Sequence, residues 1–132
     1  MPLCDFPVRA SIAVSDIGQA AEFYEGKLRL PLVQSGPSAQ IDDGGRFYGS
    51  AGVMALAVYQ AETAGTSDAT MAIWFVDDID EVVDELADAG VEFVRYEGLD
   101  LDDRGITARA GGGRIAWFRD PDGNTFAIES DD

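Results

Sequence analysis

Histidine is absent from all 132 residues. That removes the imidazole base of Ser–His and Cys–His nucleophilic catalysis and the commonest metal ligand. Cysteine is almost absent too. The single Cys4 excludes an intrachain disulfide and fits a reducing compartment. With no histidine to activate it, Cys4 is not expected to act as a nucleophile. Positive charge is scarce: nine Lys+Arg against 25 Asp+Glu leave a formal net charge of −16. A chain this acidic is repelled at long range by nucleic acid and by anionic membranes, so neither is expected as a partner. Steering of cationic ligands is one meaning of the charge, and plain solubility is the simpler one. No acidic run reaches the five or six residues of a disordered acidic tail. No apolar run approaches the roughly 18 residues of a membrane span. The segment Met1-Pro2-Leu3-Cys4-Asp5 shows no basic n-region and no long apolar stretch, so no signal peptide and a cytoplasmic location are expected.

What is present suits one domain with a real core: 46% of residues are hydrophobic, enough to fold without staples. The chain also repeats itself weakly. Val14, Asp16 and Ile17 recur as Val76, Asp78 and Ile79, each 62 positions later. Each set closes a β-prone run and opens a helical pattern. In the second helix Ile79, Val82, Val83, Leu86 and Ala87 make one apolar stripe. Asp78 with Glu81 reads as a capping box, and Gly90 as the left-handed stop. In the first helix Asp16 with Gln19 caps a stripe of Ile17, Ala20, Ala21, Tyr24 and Leu28, and Gly26 weakens the end.

Strands are expected at Val8 to Val14, Leu30 to Gln34, Gln40 to Tyr48 and Gly52 to Gln60. In the second half they are expected at Met71 to Val76, Val91 to Glu97, Gly113 to Arg119 and Thr125 to Glu129. The predicted fold class is therefore α+β: a single domain over 1–132, built of two βαβββ modules, 7–60 and 69–130, joined by a turn-rich linker at 61–68. Leu99 to Gly113, with four glycines, reads as a long loop or as a poorly patterned strand at Ile106 to Arg109. One helix cannot cover both faces of a four-stranded sheet, so modules must cover each other and a homodimer is expected.

Three segments resemble the vicinal-oxygen-chelate superfamily, also called the glyoxalase/bleomycin-resistance/extradiol-dioxygenase proteins. They are Val14-Ser15-Asp16-Ile17 with Phe23-Tyr24 and Leu28, then Phe75-Val76-Asp77-Asp78-Ile79-Asp80 with Ala89-Gly90-Val91, then Phe118-Arg119-Asp120-Pro121-Asp122-Gly123-Asn124. Together they span roughly Val8 to Glu129. The resemblance implies paired βαβββ modules whose curled sheets form a ligand-holding cup, with four metal ligands in the metal-dependent members. Counting back seven residues from each helix-capping Asp places Arg9 and Met71 at two of those positions, and three residues beyond Asn124 places Ala127 at the last. The remaining ligand falls on the strand at 52–60, where Leu56, Ala57, Val58 and Tyr59 offer no carboxylate or imidazole. Arg is a permanent cation, Ala has no donor, and a thioether prefers soft ions. No metal and no other cofactor is therefore expected, and neither iron-dependent dioxygenase nor metal-dependent glyoxalase I activity.

The family register then implies which residues face the cup: Arg9 and Ser11 from the first strand, Met71, Ile73 and Phe75 from the fifth, Ala127 and Glu129 from the last, Ile115 and Trp117, with Tyr48 and Tyr59 as further wall residues. Such a wall is apolar and aromatic with one cation and one anion, which suits a drug-sized ligand. Arg9 either grips an anionic ligand group or pairs with Glu129 to plug the vacant site. Phe23, Tyr24, Trp74, Phe118 and Phe126 are read as core. Asp120 to Asn124 is read as a hairpin turn. Asp77, Asp78 and Asp80 are read as helix N-terminal acids, and Gly111 to Gly113 lacks the context of a phosphate loop. The expected function is a metal-free small-molecule binder of the bleomycin-resistance type, sequestering or carrying a largely apolar ligand in a dimeric cup. The alternatives are a metal-independent lyase or isomerase with Glu129 as acid–base, and an interaction module whose cup is filled by its own side chains.

Overall fold

Alternation of apolar residues builds the first strand, and the computed structural model, which describes residues 2–35 and 45–132, shows where they go. In β1 (Ala10–Val14) Ile12 and Val14 are buried while Ser11 is exposed. The strand ends where the Asp16 carboxylate accepts the Gln19 N–H at 3.0 Å, satisfying a free donor of helix α1 (Ile17–Ala21). The helix then widens into a π-helical stretch at Glu22–Lys27, with the Leu28 N–H bonded to the Phe23 carbonyl at 2.9 Å. This stretch buries Phe23 and Tyr24. The chain continues through β2 (Leu32–Ser35), β3 (Arg46–Ser50) and β4 (Val53–Gln60). Residues 40–44 of the strand expected from Gln40 lie outside the described ones. The sheet order is β1-β4-β3-β2, with β1 parallel to β4 and the other pairs antiparallel.

The second unit repeats this plan. It comprises β5 (Thr70–Phe75), α2 (Ile79–Asp88), β6 (Thr107–Ala108), β7 (Arg114–Arg119) and β8 (Thr125–Ser130), in the order β5-β8-β7-β6. Asp78 caps α2 by accepting the Glu81 N–H at 3.1 Å. Gly90, at φ 97°, closes it: the Val91 N–H returns to the Leu86 carbonyl and the Gly90 N–H to the Ala87 carbonyl, both at 3.0 Å. Trp74, Phe93, Phe118 and Phe126 interlock beneath the helix with ring centroids 5.5 to 6.0 Å apart, beside buried Ile79, Val83 and Val91. The chain divides into compact units at Ala64/Gly65, inside the linker expected at 61–68. Among the described residues no helix is long and apolar enough to cross a membrane.

One expected element is wrong. Val91 to Glu97 is not a strand. Val91 is occupied by the helix cap, and the rest of the segment makes one bridge, Phe93 with Phe118, plus a bond from the Val94 N–H to the Trp117 carbonyl at 2.8 Å. The fourth strand of this sheet is β6, at the alternative position, paired through Thr107–Ile115 and Ala108–Arg114. Two short segments thus share one edge of β7.

The β3–β4 hairpin turns on Ala51 and Gly52, both left-handed at φ 52° and 81°. Such two-residue turns favour Asn-Gly, and the left-handed region is strained for alanine. Ala51→Asn is expected to stabilise the protein by about 0.5–1 kcal/mol, raising the thermal midpoint by a few degrees. A lowered midpoint would contradict this reading of the turn.

Candidate functional site

Pairing register decides which side chains share a face, because successive residues of a strand point oppositely. In the first unit Ser11, Ala57 and Phe47 form one row and Ala13 and Tyr59 the next. The opposite face carries the rows Ala10–Leu56–Tyr48 and Ile12–Val58–Arg46, which contain the buried core. Ser11 and Tyr59 thus share the face turned away from the helix. Arg9 precedes β1 and is exposed.

Tyr48 does not belong with them. It is fully buried, stacks on Tyr24 at 5.8 Å, and donates its hydroxyl to Glu25 Oε2 at 2.8 Å. Arg46 Nη1 reaches the same oxygen at 2.9 Å. Its register with Leu56 puts Tyr48 on the helix side, so it is a core residue and not a ligand wall. Burial first, and then the bond to the Glu25 carboxylate, push the phenol well above its usual value.

In the second unit the helix-free face carries three rows: Ile73–Ala127–Trp117, Phe75–Glu129–Ile115–Thr107, and Thr125–Arg119. Ile73, Phe75, Trp117, Ala127 and Glu129 are therefore brought together on one face. Phe75 is 74% exposed and Ile73 43%. Trp117 is half-buried and Ala127 fully buried. Met71 lies in a register break between Thr70 and Ala72, opposite no single residue of β8, and is half-buried.

Glu129 is ion-paired, but its cation is not Arg9. Arg109, from the turn between β6 and β7, places Nη1 3.1 Å from Glu129 Oε2, with side-chain exposures of 29% and 15%. Arg109 went unnoticed because it sits in the weakly patterned segment, and only the position of β6 brings it over β8. Two further groups were missed as site residues. The Tyr96 ring meets Trp117 edge-on at 5.2 Å, and the Arg119 guanidinium lies 6.0 Å from the Tyr96 ring centre. Tyr96 reaches this face because Phe93 and Val94 bind the β7 edge.

The metal-ligand positions do not fit a hard or borderline divalent ion. Arg9 is an exposed cation, Met71 offers a thioether and Ala127 a methyl. Among the described residues no three His, Cys, Asp or Glu side chains converge. Asp78 and Asp80 serve α2 instead: Asp78 caps it, and Asp80 pairs with Arg114 at 3.0 Å. Asp120 is buried and closes the β7–β8 turn, accepting the Asp122 and Asn124 N–H groups at 3.0 and 2.8 Å.

The loop after Leu99 is tied down. Asp102 accepts the Arg104 and Ile106 N–H groups, each at 2.9 Å. Arg104 grips Asp84 of α2 with two bonds of 2.6 and 3.1 Å. That guanidinium holds the exposed Asp84 carboxyl below its usual value. Through Arg104 this part of the loop is anchored on the helix side of its unit.

The model of the Glyoxalase/Bleomycin resistance protein/Dioxygenase superfamily matches residues 7–128. The chain belongs to that superfamily. No curated protein matches it. Among solved structures, a superfamily member from Sphaerobacter thermophilus DSM 20745 is 25% identical, with a TM-score of 0.69 over 95% of this chain and 96% of that one. The antibiotic binding protein TnmS3 from Streptomyces sp. CB03234 is 21% identical, with a TM-score of 0.67 over 96% and 98%. The fosfomycin resistance protein FosX from Listeria monocytogenes is 16% identical, with a TM-score of 0.68 over 95% and 92%. The last two likenesses show the glyoxalase fold.

Two outcomes follow from this geometry. Above the ordinary tyrosine value of about 10 the unfolded chain gives up the Tyr48 proton while the folded chain keeps it, so stability falls as pH rises. Tyr48→Phe is expected to lower stability by about 1–2 kcal/mol at pH 8 and to flatten the further loss toward pH 11 in urea melts. An equally steep alkaline loss in the variant would rule out this role. Asp84→Ala is expected to speed tryptic cleavage after Arg104, read by mass spectrometry of the earliest fragments. An unchanged rate would mean that the ion pair does not hold the loop.

Proposed function

We propose that this protein binds a small, largely apolar molecule, sequestering or carrying it, with the helix-free face of the second unit as one wall of a cup completed in a homodimer. The observation that carries this reading is the exposure of Phe75 and Ile73 in register with Trp117, Ala127 and Ile115. A phenylalanine left in water forgoes roughly 2–3 kcal/mol of burial, so large apolar side chains gathered on one face favour a molecule that covers them. The one carboxylate in these rows is neutralised by Arg109, which suits apolar walls with few polar groups. The fosfomycin-resistance and antibiotic-binding names of the structural relatives point to an antibiotic or comparable metabolite. The chemistry of Arg9, Met71 and Ala127 favours binding without a metal. A metal-independent lyase or isomerase is the second reading, with Glu129, held by Arg109, as its acid–base.

Native mass spectrometry of protein purified without a histidine tag tests the proposal. The expected result is a dimer carrying an extra mass on the order of a few hundred daltons, a drug-sized ligand, which Phe75→Asp and Trp117→Ala both release. Retention of the ligand by both variants would place the site elsewhere. An empty dimer that Phe75→Asp dissociates would favour the interaction module. Full turnover by Glu129→Gln on any substrate found would eliminate the acid–base role.

A further inference from the structure

The helix-free face of the second unit holds two cations in different states. Arg109 is neutralised by Glu129. Arg119 is not: among the described residues no carboxylate pairs with it. Its Nε is bonded to the buried Thr125 hydroxyl at 3.3 Å, and its guanidinium carbon stands 6.0 Å from the Tyr96 ring centre. Both contacts are neutral. They orient the guanidinium, and the Thr125 bond leaves the end-on pair of terminal nitrogens for a ligand. Trp117 lies two residues before Arg119 on the same face, edge-on to Tyr96 at 5.2 Å. An oriented cation beside two rings at right angles is complementary to a flat ring that bears an anion.

We propose that Arg119, Tyr96 and Trp117 select a planar aromatic carboxylate, Trp117 and Tyr96 receiving the ring and the terminal nitrogens of Arg119 the carboxylate. This rests on the small-molecule reading above and names the ligand class. A guanidinium takes a carboxylate through two parallel hydrogen bonds, stronger than neutral ones and geometrically exacting. The net charge of −16 does not oppose it at contact distance. At physiological ionic strength charges more than about 8 Å apart are largely screened, while a direct bidentate contact is screened little. Thr125 and Ala127 alternate along β8 on this face, so the row of Arg119 neighbours the row of Ala127. An oriented organic cation therefore stands one row from Ala127.

The test is isothermal titration with 2-naphthoate and the uncharged 2-naphthamide, on the wild-type protein and on Arg119→Gln and Arg114→Gln. Arg119 is exposed, so Arg119→Gln is expected to fold, which circular dichroism checks. The expected result is a preference of at least about tenfold for the carboxylate in the wild type. Arg119→Gln abolishes that preference and leaves amide affinity within about twofold, as befits loss of a charge-assisted contact alone. Arg114→Gln, which removes a cation paired with Asp80 on the helix side, retains the preference. Equal affinity for the two probes, a preference that survives Arg119→Gln, or one lost with Arg114→Gln would each overturn the inference. Binding of the amide alone would overturn it while leaving the small-molecule reading intact. Failure of both probes also overturns it, and the co-purified mass then judges the broader reading separately.

Discussion

One helix covers one face of a four-stranded sheet, and the arrangement of each unit follows from that limit. The covered face takes the bulk: Ile12, Val14, Leu56, Val58 and Tyr48 in the first unit, Trp74, Phe118, Phe126 and Ile128 in the second. These side chains meet Phe23 and Tyr24 from one helix and Ile79 and Val83 from the other, and there the burial that holds each unit is concentrated. The other face cannot be stabilised in this way from within its own unit. It carries Ser11, Ala13, Ala57 and Tyr59 in one sheet and Ile73, Phe75, Trp117 and Glu129 in the other. The helix-free face is the one whose side chains the fold has not already committed to its own core.

Cations are few, nine among 132 residues, and their placement shows what they do. Arg46 joins the first sheet to the π-helical stretch through Glu25, Arg104 and Arg114 tie loop and strand to α2 through Asp84 and Asp80, and Arg109 neutralises Glu129. The exposed pairs of Arg104 contribute little to stability, so their value is positional: they fix where the loop lies against its helix. Arg119 stands apart, because its contacts, a hydroxyl and a ring, orient it without cancelling its charge.

The modules, the helices, their caps and most strands were legible in the sequence because they rest on local rules. Asp16 and Asp78 cap as their spacing with Gln19 and Glu81 implies, Gly90 takes the left-handed stop, and Asp120 to Asn124 turn between two strands. What was not legible depended on register or on edges. Tyr48 was misplaced because its face is set by its pairing with Leu56, and pairing register is not written in the sequence of one strand. Val91 to Glu97 has the composition of a strand, but the helix cap claims its first residue and β6 claims part of the same edge. Arg109 and Tyr96 came to the site through those edge segments, so no local pattern announced them. The five residues Ile73, Phe75, Trp117, Ala127 and Glu129 were legible as a group because β5, β7 and β8 are regular and their alternation transfers directly to faces.

The pairing of Glu129 follows from the cost of a buried charge. Partial burial of a carboxylate is expensive unless a cation neutralises it. Here Arg109 neutralises Glu129, and Ala127, its neighbour on the same face, carries no charge. The rows through Ile73 and Phe75 are thereby left apolar and without net charge. Against such a surface the proposed apolar ligand would meet few uncompensated charges. The guanidinium of Arg119, oriented by Thr125 and Tyr96 at the end of β7, carries charge that no carboxylate among the described residues cancels. In the reading proposed above, affinity comes from the rings and aliphatic side chains and orientation from one cation, which is the division of labour that small-molecule sites use.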